Sequence, residues 1–239
     1  MVTRVGKSDR RHPRIDRRGE ARLPAVFAVL AAAALYALLP EHLLLGPRLV
    51  IPGLELLLLA PLVVINPRRL TRQTRTSRVL SLALAILIVA ANQVALGLLL
   101  HALVTVTPEQ ARDLLVAAGQ VWLTNIIAFG LVFWELDRGG PVARTQISRT
   151  DMSPADFRFS QDENDDAVVE VAVGASGQSD WVPTLVDYLY VSLTNSSAFS
   201  PTDTMPLSPR AKILMGLEAT AALLTSVLVI ARGVGALQS

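Results

Sequence analysis

Asp187-Tyr-Leu-Tyr-Val-Ser-Leu-Thr-Asn-Ser-Ser-Ala-Phe-Ser-Pro-Thr-Asp-Thr-Met-Pro206, followed by the apolar run from Ala211 to Val234, decides how this chain folds. Trp181 to Ala198 is amphipathic, with Asp187, Ser192, Thr194 and Asn195 interrupting the apolar positions. Read as helix, it rises about 27 Å at 1.5 Å per residue, barely the thickness of a bilayer core. It is therefore a short span or a re-entrant half-helix. The segment 196–209 carries Pro201, Pro206 and Pro209 and cannot be helical throughout. Ala211 to Val234 gives about 36 Å of helix, a full span. Along it Glu218, Ala222, Thr225 and Val229 fall on one face, an acid and a hydroxyl beside a small residue. Such a face suits a helix that lines water or packs closely.

The rest of the chain agrees with a membrane setting. Of 239 residues, 51% are hydrophobic and 18% charged, against about 25% charge in soluble domains. The apolar residues are gathered into runs too long for soluble core helices. There is no cysteine, which excludes disulfides, thiolate metal sites and cysteine nucleophiles. Arginine supplies all the basic charge except Lys7 and Lys212.

Residues 1–22 form a basic tail. The spans expected after it are Leu23–Leu39, Leu49–Ile65, Val79–Val104 and Leu114–Trp134. The loop from Asn66 to Arg78 holds Arg68, Arg69, Arg72, Arg75 and Arg78 and no acid, which marks it as cytoplasmic. It lies two spans after the basic tail, so both fall on the same side. Within the spans, Glu55 is a carboxylate in an apolar run, either interfacial or an ion contact. Asn92, Gln93 and Asn125 lie at matching depths and are expected to hydrogen-bond between helices. Trp134 sits where an interfacial aromatic belt would be.

Glu135-Leu-Asp-Arg-Gly-Gly-Pro141 stops the fourth span. Residues 138–181 are a polar loop with an acidic cluster at Asp162, Glu163, Asp165 and Asp166, read as solvated because it lacks the spacing of a calcium-binding loop. Val168–Val173 alternates enough for one short strand. His12, His42 and His101 are scattered, and no nucleophile elbow, zinc-binding HExxH or phosphate-binding loop occurs, so no enzyme and no cofactor is expected. The halves show no internal repeat of the transporter kind.

Pro209-Arg-Ala-Lys-Ile-Leu-Met-Gly-Leu-Glu-Ala219 through Val227-Leu-Val-Ile-Ala-Arg-Gly-Val234 resembles the inner helix of two-span potassium-channel modules, and Tyr188-Leu-Tyr-Val-Ser-Leu-Thr194 resembles their aromatic pore helix. An ungapped overlay places Asp203 and Pro206 on the Asp and Pro that follow the channel filter, and the filter TVGYG on Ala198-Phe-Ser-Pro-Thr202. Both glycines and the threonine are absent there. Pro201 forbids backbone conformations that a ring of inward carbonyls needs, so potassium selection by that mechanism is not expected. The whole chain also looks like an uncharacterised bacterial multi-pass membrane protein family, through Trp134-Glu-Leu-Asp-Arg-Gly-Gly-Pro141 and Phe199-Ser-Pro-Thr-Asp-Thr-Met-Pro-Leu207.

The expected fold class is all-α, a polytopic membrane helical bundle of about six transmembrane segments with a short or re-entrant fifth, both termini inside. The expected parts are a basic cytoplasmic tail (1–22), a four-span region (23–137), the polar loop (138–181) and a channel-like module (182–239). A potassium-channel module admits its pore helix from outside, whereas four spans from a cytoplasmic N-terminus deliver the chain inside. Either 182–199 crosses, or the module enters from the cytoplasmic side. The resemblance implies an ion-channel-like pore in the bacterial cytoplasmic membrane, with a non-conducting scaffold or interaction protein as the alternative. Pore or ion candidates are Thr194, Asn195, Ser196, Ser197, Thr202, Asp203 and Glu218. Secondary intramembrane polar candidates are Glu55, Asn92, Gln93 and Asn125. No metal site is expected. The implied partners are the lipid bilayer, further copies of the chain as a homo-oligomer and a small cation, with no nucleic acid.

Overall fold

The structure, a computed structural model, describes residues 18–105, 111–163, 168–177, 179, 181–197 and 204–237. Thr202, Asp203, Asp165 and Asp166 lie outside the described residues, as does most of the basic tail.

Four helices make the first part: α1 (Leu23–Ala37), α2 (Val50–Ile65), α3 (Arg75–Thr105) and α4 (Ala111–Leu136). Pro24 opens α1, where a missing N–H costs nothing. α3 starts four residues before its apolar run. Thr74 and Ser77 cap one another there, the Thr74 N–H on Ser77 Oγ at 2.9 Å and the Ser77 N–H on Thr74 Oγ1 at 3.1 Å. The arginine loop before it is folded around Asn66, whose side chain accepts the Thr71 and Arg72 N–H groups and donates to the Arg72 carbonyl. A strand preceding α1, β1 (Glu20–Ala21), pairs antiparallel with β2 (Arg69–Leu70) in that loop. The end of the tail and the arginine loop therefore meet at one end of the bundle. Helices α3 and α4 alternate in the same way, since Arg78 at the start of α3 meets Glu135 at the end of α4. At the opposite end Tyr36, Leu39, Leu43, Ile51, Leu99 and Leu103 share one apolar cluster.

α3, α4 and the closing helix α8 (Pro209–Leu237) are long and apolar enough to cross a membrane. α1 and α2 are apolar but shorter, with 15 and 16 residues. Both nonetheless contribute to the apolar clusters at the two ends of the bundle.

Residues 138–181 are more than a loop. A short helix, α5 (Pro141–Gln146), a strand, β3 (Phe157–Phe159), and a one-turn helix, α6 (Val169–Ala172), occupy them. The strand expected at Val168–Val173 is replaced by α6. Val169, Val171 and Val173 are all exposed, so that alternation marks no buried sheet face. β3 carries Phe157 and Phe159 inward against Phe133, Trp181 and Tyr188, with ring centroids 5.1–6.1 Å apart.

α7 (Leu185–Ser196) is shorter than the amphipathic stretch suggests. It starts at the arginine end, where Leu185 N–H meets Glu20 and Tyr188 meets Asp137. Farther along, the Ser192 hydroxyl meets the Ile126 carbonyl and the Trp122 indole meets the Ser196 carbonyl. As α7 advances, its partners on α4 recede, so the two are antiparallel. α8 also runs against α4, with Arg210 near the Leu136 carbonyl and the Glu218 carbonyl near Asn125. Hence α7 and α8 are parallel and begin at the same end. At twelve residues α7 is about 18 Å long. Its buried apolar residues Leu185, Tyr188 and Val191 all belong to the arginine-end cluster. The chain then returns, because a further strand, β4 (Thr204–Pro206), pairs antiparallel with β3. The start of α7 and β4 therefore lie at the same end of the bundle.

α7 rests on α4 at Gly130, where an added Cβ would lie 2.7 Å from Leu189 Cδ2 and 3.2 Å from Leu189 Cα. Gly130→Ala is expected to cost about 1–3 kcal/mol through overpacking. Gly119→Ala, on the same helix with open space at its Cβ, is expected to be neutral or slightly stabilising. Thermal unfolding of both variants checks this.

Candidate functional site

Mid-way along the bundle, polar side chains from four helices converge. α8 contributes Glu218, fully buried. From α7, the Asn195 amide donates to Glu218 Oε2 at 2.6 Å and to the Met215 carbonyl at 2.9 Å. The Ser196 hydroxyl lies 3.1 Å from Glu218 Oε1, and the Ser192 hydroxyl bonds the same oxygen. From α4, the Asn125 amide donates to the Glu218 backbone carbonyl at 3.4 Å. Asn125 Oδ1 in turn accepts Asn92 Nδ2 at 3.2 Å and Gln93 Nε2 at 3.0 Å, both from α3. The interhelical amide bonds expected from matching depths are present. They are the inner shell of a larger knot.

The sequence places these groups by spacing. Ser192, Asn195 and Ser196 fall at i, i+3 and i+4, one face of α7. Glu218 shares its own face with Ala211, Met215, Ala222 and Thr225, all buried. The expected common face of Glu218, Ala222 and Thr225 therefore packs inward. No Lys or Arg pairs with Glu218 among the described residues. Ser192 has one hydroxyl hydrogen and two acceptors in reach, the Ile126 carbonyl at 2.8 Å and Glu218 Oε1. A carboxyl that keeps its proton satisfies both, donating to Ser192 while Ser192 donates to the carbonyl. An unpaired ionised carboxylate would cost far more at such a site.

Asn195, Ser196, Glu218, Asn92, Gln93 and Asn125 are thus brought together. Thr194 and Ser197 are not. They are half-buried, and their hydroxyls bond carbonyls of their own helix. Glu55 stands apart on α2, buried, its Oε2 without a partner among the described residues. Ser192 completes the knot and was readable from the same i, i+3, i+4 spacing.

A second polar network sits at the arginine end. Asp137, fully buried, accepts the Asp156 N–H at 2.6 Å, the Phe157 N–H at 3.3 Å and the Tyr188 hydroxyl at 2.5 Å. Arg144 donates to the Trp134 and Asp137 carbonyls at 2.7 and 2.9 Å and lies over the Tyr188 ring at 4.9 Å. Asp156 in turn holds Arg210 at the start of α8 at 2.6 Å. Trp134 is 4% exposed, and its indole donates to Glu20, so it does not face lipid as a belt residue would. Burial raises the Glu20 carboxyl above its ordinary range, opposed by Arg144, the Leu185 N–H and Trp134. Arg138 holds a left-handed conformation, φ 52°, which turns its guanidinium onto Asp162 at 2.6 Å. Asp162 and Glu163 of the acidic cluster are therefore paired, the latter with Arg158. No group of three His, Cys, Asp or Glu able to hold a metal occurs among the described residues.

No protein-family model, curated protein or solved structure matches this chain.

Proposed function

We propose that the protein is an ion-channel-like membrane protein, an oligomeric pore whose entrance lies at the arginine end. The observation that carries this reading is the parallel start of α7 and α8, with α7 stopping mid-way and the chain returning to pair with β3. Non-helical backbone at membrane depth is tolerated where protein or water covers it, and re-entrant hairpins are such places. In this reading α1 to α4 and α8 cross, giving five crossings and one half-helix, with the termini on opposite sides. That replaces the six-segment expectation with both termini inside. The positive-inside rule then puts the hairpin mouth in the cytoplasm of a bacterial cell. α7 aims its C-terminal carbonyls at mid-depth, where their partial negative charge favours a small cation. Thr194 and Ser197, half-buried and outside the knot, together with Thr202 and Asp203, are the groups left to line a constriction.

A specific observation favours a second reading, a non-conducting scaffold. Every polar atom of the Glu218 side chain is bonded within the chain, which closes the knot rather than opening it to an ion. Cation flux in proteoliposomes separates the two. Flux well above that of empty liposomes is expected, reduced several-fold by Asp203→Asn through loss of local charge, with an oligomer in native mass spectrometry. Flux at the empty-liposome level, or a monomer, leaves the scaffold reading.

A further inference from the structure

We propose that the arginine end contains a binding site for a phosphate-bearing anion, formed where α1, α2, α3 and α4 meet. A cavity of about 30 Å³ opens there. Its wall includes Arg22, Arg72, Gln73, Arg78, Ser81 and Glu135, three arginines against a single acid. Arg22 is only 6% exposed, and its Nε has no hydrogen-bond partner among the described residues. A buried donor left unpaired is costly, so one on a residue that lines a cavity suits an acceptor that the described residues do not supply. Glu135 attracts the Arg22 guanidinium but does not hydrogen-bond its Nε, and its Oε2 accepts from Arg78 at 2.5 Å and from the Ser81 hydroxyl at 3.0 Å. Arg72 is exposed at the mouth, and its backbone, not its side chain, is held by Asn66.

A second cavity of about 30 Å³ adjoins the first. The two share Arg22, Leu62, Ser81 and Glu135 in their walls. The second is otherwise apolar, lined by Val29, Leu59, Leu84 and Leu131 between the helices. Cationic donors at the mouth and apolar walls behind them match an amphiphile with a phosphate headgroup. A free phosphate has the same headgroup chemistry without the apolar part. Guanidinium groups suit either, because their planar N–H pairs fit phosphate oxygens. The site stands independently of whether the protein conducts.

Native mass spectrometry of the full chain in nonionic detergent tests this, with dioleoyl-phosphatidylglycerol and dioleoyl-phosphatidylcholine as probes. The expected result is preferential retention of phosphatidylglycerol. Arg22→Gln is expected to weaken that retention roughly tenfold, the effect of one charge-assisted hydrogen bond. Arg72→Gln, at an exposed side chain, provides a second variant should Arg22→Gln fold poorly, and is expected to weaken retention several-fold. Displacement by millimolar inorganic phosphate would assign the site to the phosphate group alone, and persistence in its presence would assign it to the lipid. Both uphold the site. Equal retention of the two lipids with no thermal shift from inorganic phosphate overturns it, as does an unchanged preference in both folded variants.

Discussion

Glu218→Ala is expected to lower stability by about 3 kcal/mol, whereas Glu218→Gln stays within about 1 kcal/mol of the wild type. The carboxyl of Glu218 is the acceptor for Asn195 and lies within bonding distance of Ser192 and Ser196. Interhelical polar bonds in membranes are worth about 0.6–1.7 kcal/mol each, so removing three gives about 2–5. The alanine also leaves a hole where a long side chain was packed, with no apolar collapse to close it. Against a total of about 5–15 kcal/mol this is a large fraction. Glutamine has nearly the shape of the neutral acid, with one acceptor oxygen and a donor group in place of its hydroxyl. Its carbonyl can accept Asn195, and its NH₂ can donate to Ser192, which keeps its own bond to Ile126. Unfolding in detergent reads the energies. Alkylation of a cysteine at Ser197, at the tip of α7, reads the detachment of the half-helix, and is expected to rise in the alanine variant. Equal stability of the two variants would mean that the knot does not hold α7 in place.

The knot was partly legible in the sequence because depth along a helix can be counted. Asn92, Gln93 and Asn125 lie at comparable distances from their helix ends, and amides in apolar runs must find partners. Ser196 and Asn195 stand out as groups that could line a channel-like constriction and Glu218 as the acid on the Ala222–Thr225 face, and nothing in the spacing links them to Asn125. That link depends on α7 running parallel to α8. The direction is set by β4 pairing with β3, a contact between residues 157–159 and 204–206 that has no local signature. The arginine-end network was illegible for a different reason. Asp137 and Arg144 flank a Gly-Gly-Pro turn, where charged residues are ordinarily solvated. Only the aromatic wall of Phe133, Phe157 and Tyr188 makes them buried. Trp134 shows the same effect, since a tryptophan at the end of an apolar helix has the pattern of a lipid-facing belt until Glu20 is folded over it.

Asp137→Ala is expected to destabilise the protein by about 4 kcal/mol, in the range of removing one partner from a buried charged network. Three donors lose their acceptor at once: the backbone N–H groups of Asp156 and Phe157 and the hydroxyl of Tyr188. The first two hold β3 against the end of α4, and the third holds the first turn of α7. Arg138 also loses the carboxylate 3.9 Å away. Neither backbone N–H can turn to water, because Asp156 and Phe157 are themselves 2% and 1% exposed. Asp137→Asn keeps one carbonyl oxygen for the N–H groups and is expected to cost about half as much. Tyr188→Phe removes the hydroxyl with its bond and is expected to cost about 1–1.5 kcal/mol, because no orphaned donor stays behind. The order alanine, asparagine, phenylalanine follows from counting stranded donors rather than lost bonds. It also predicts that Asp137→Ala and Tyr188→Phe combine to less than their sum, since the double variant no longer strands the hydroxyl. A double-mutant cycle by thermal unfolding in detergent checks the coupling. Strict additivity would show that the Tyr188 hydroxyl finds another acceptor when Asp137 is gone, and that the start of α7 is held mainly by the Glu20 carboxylate at its Leu185 N–H.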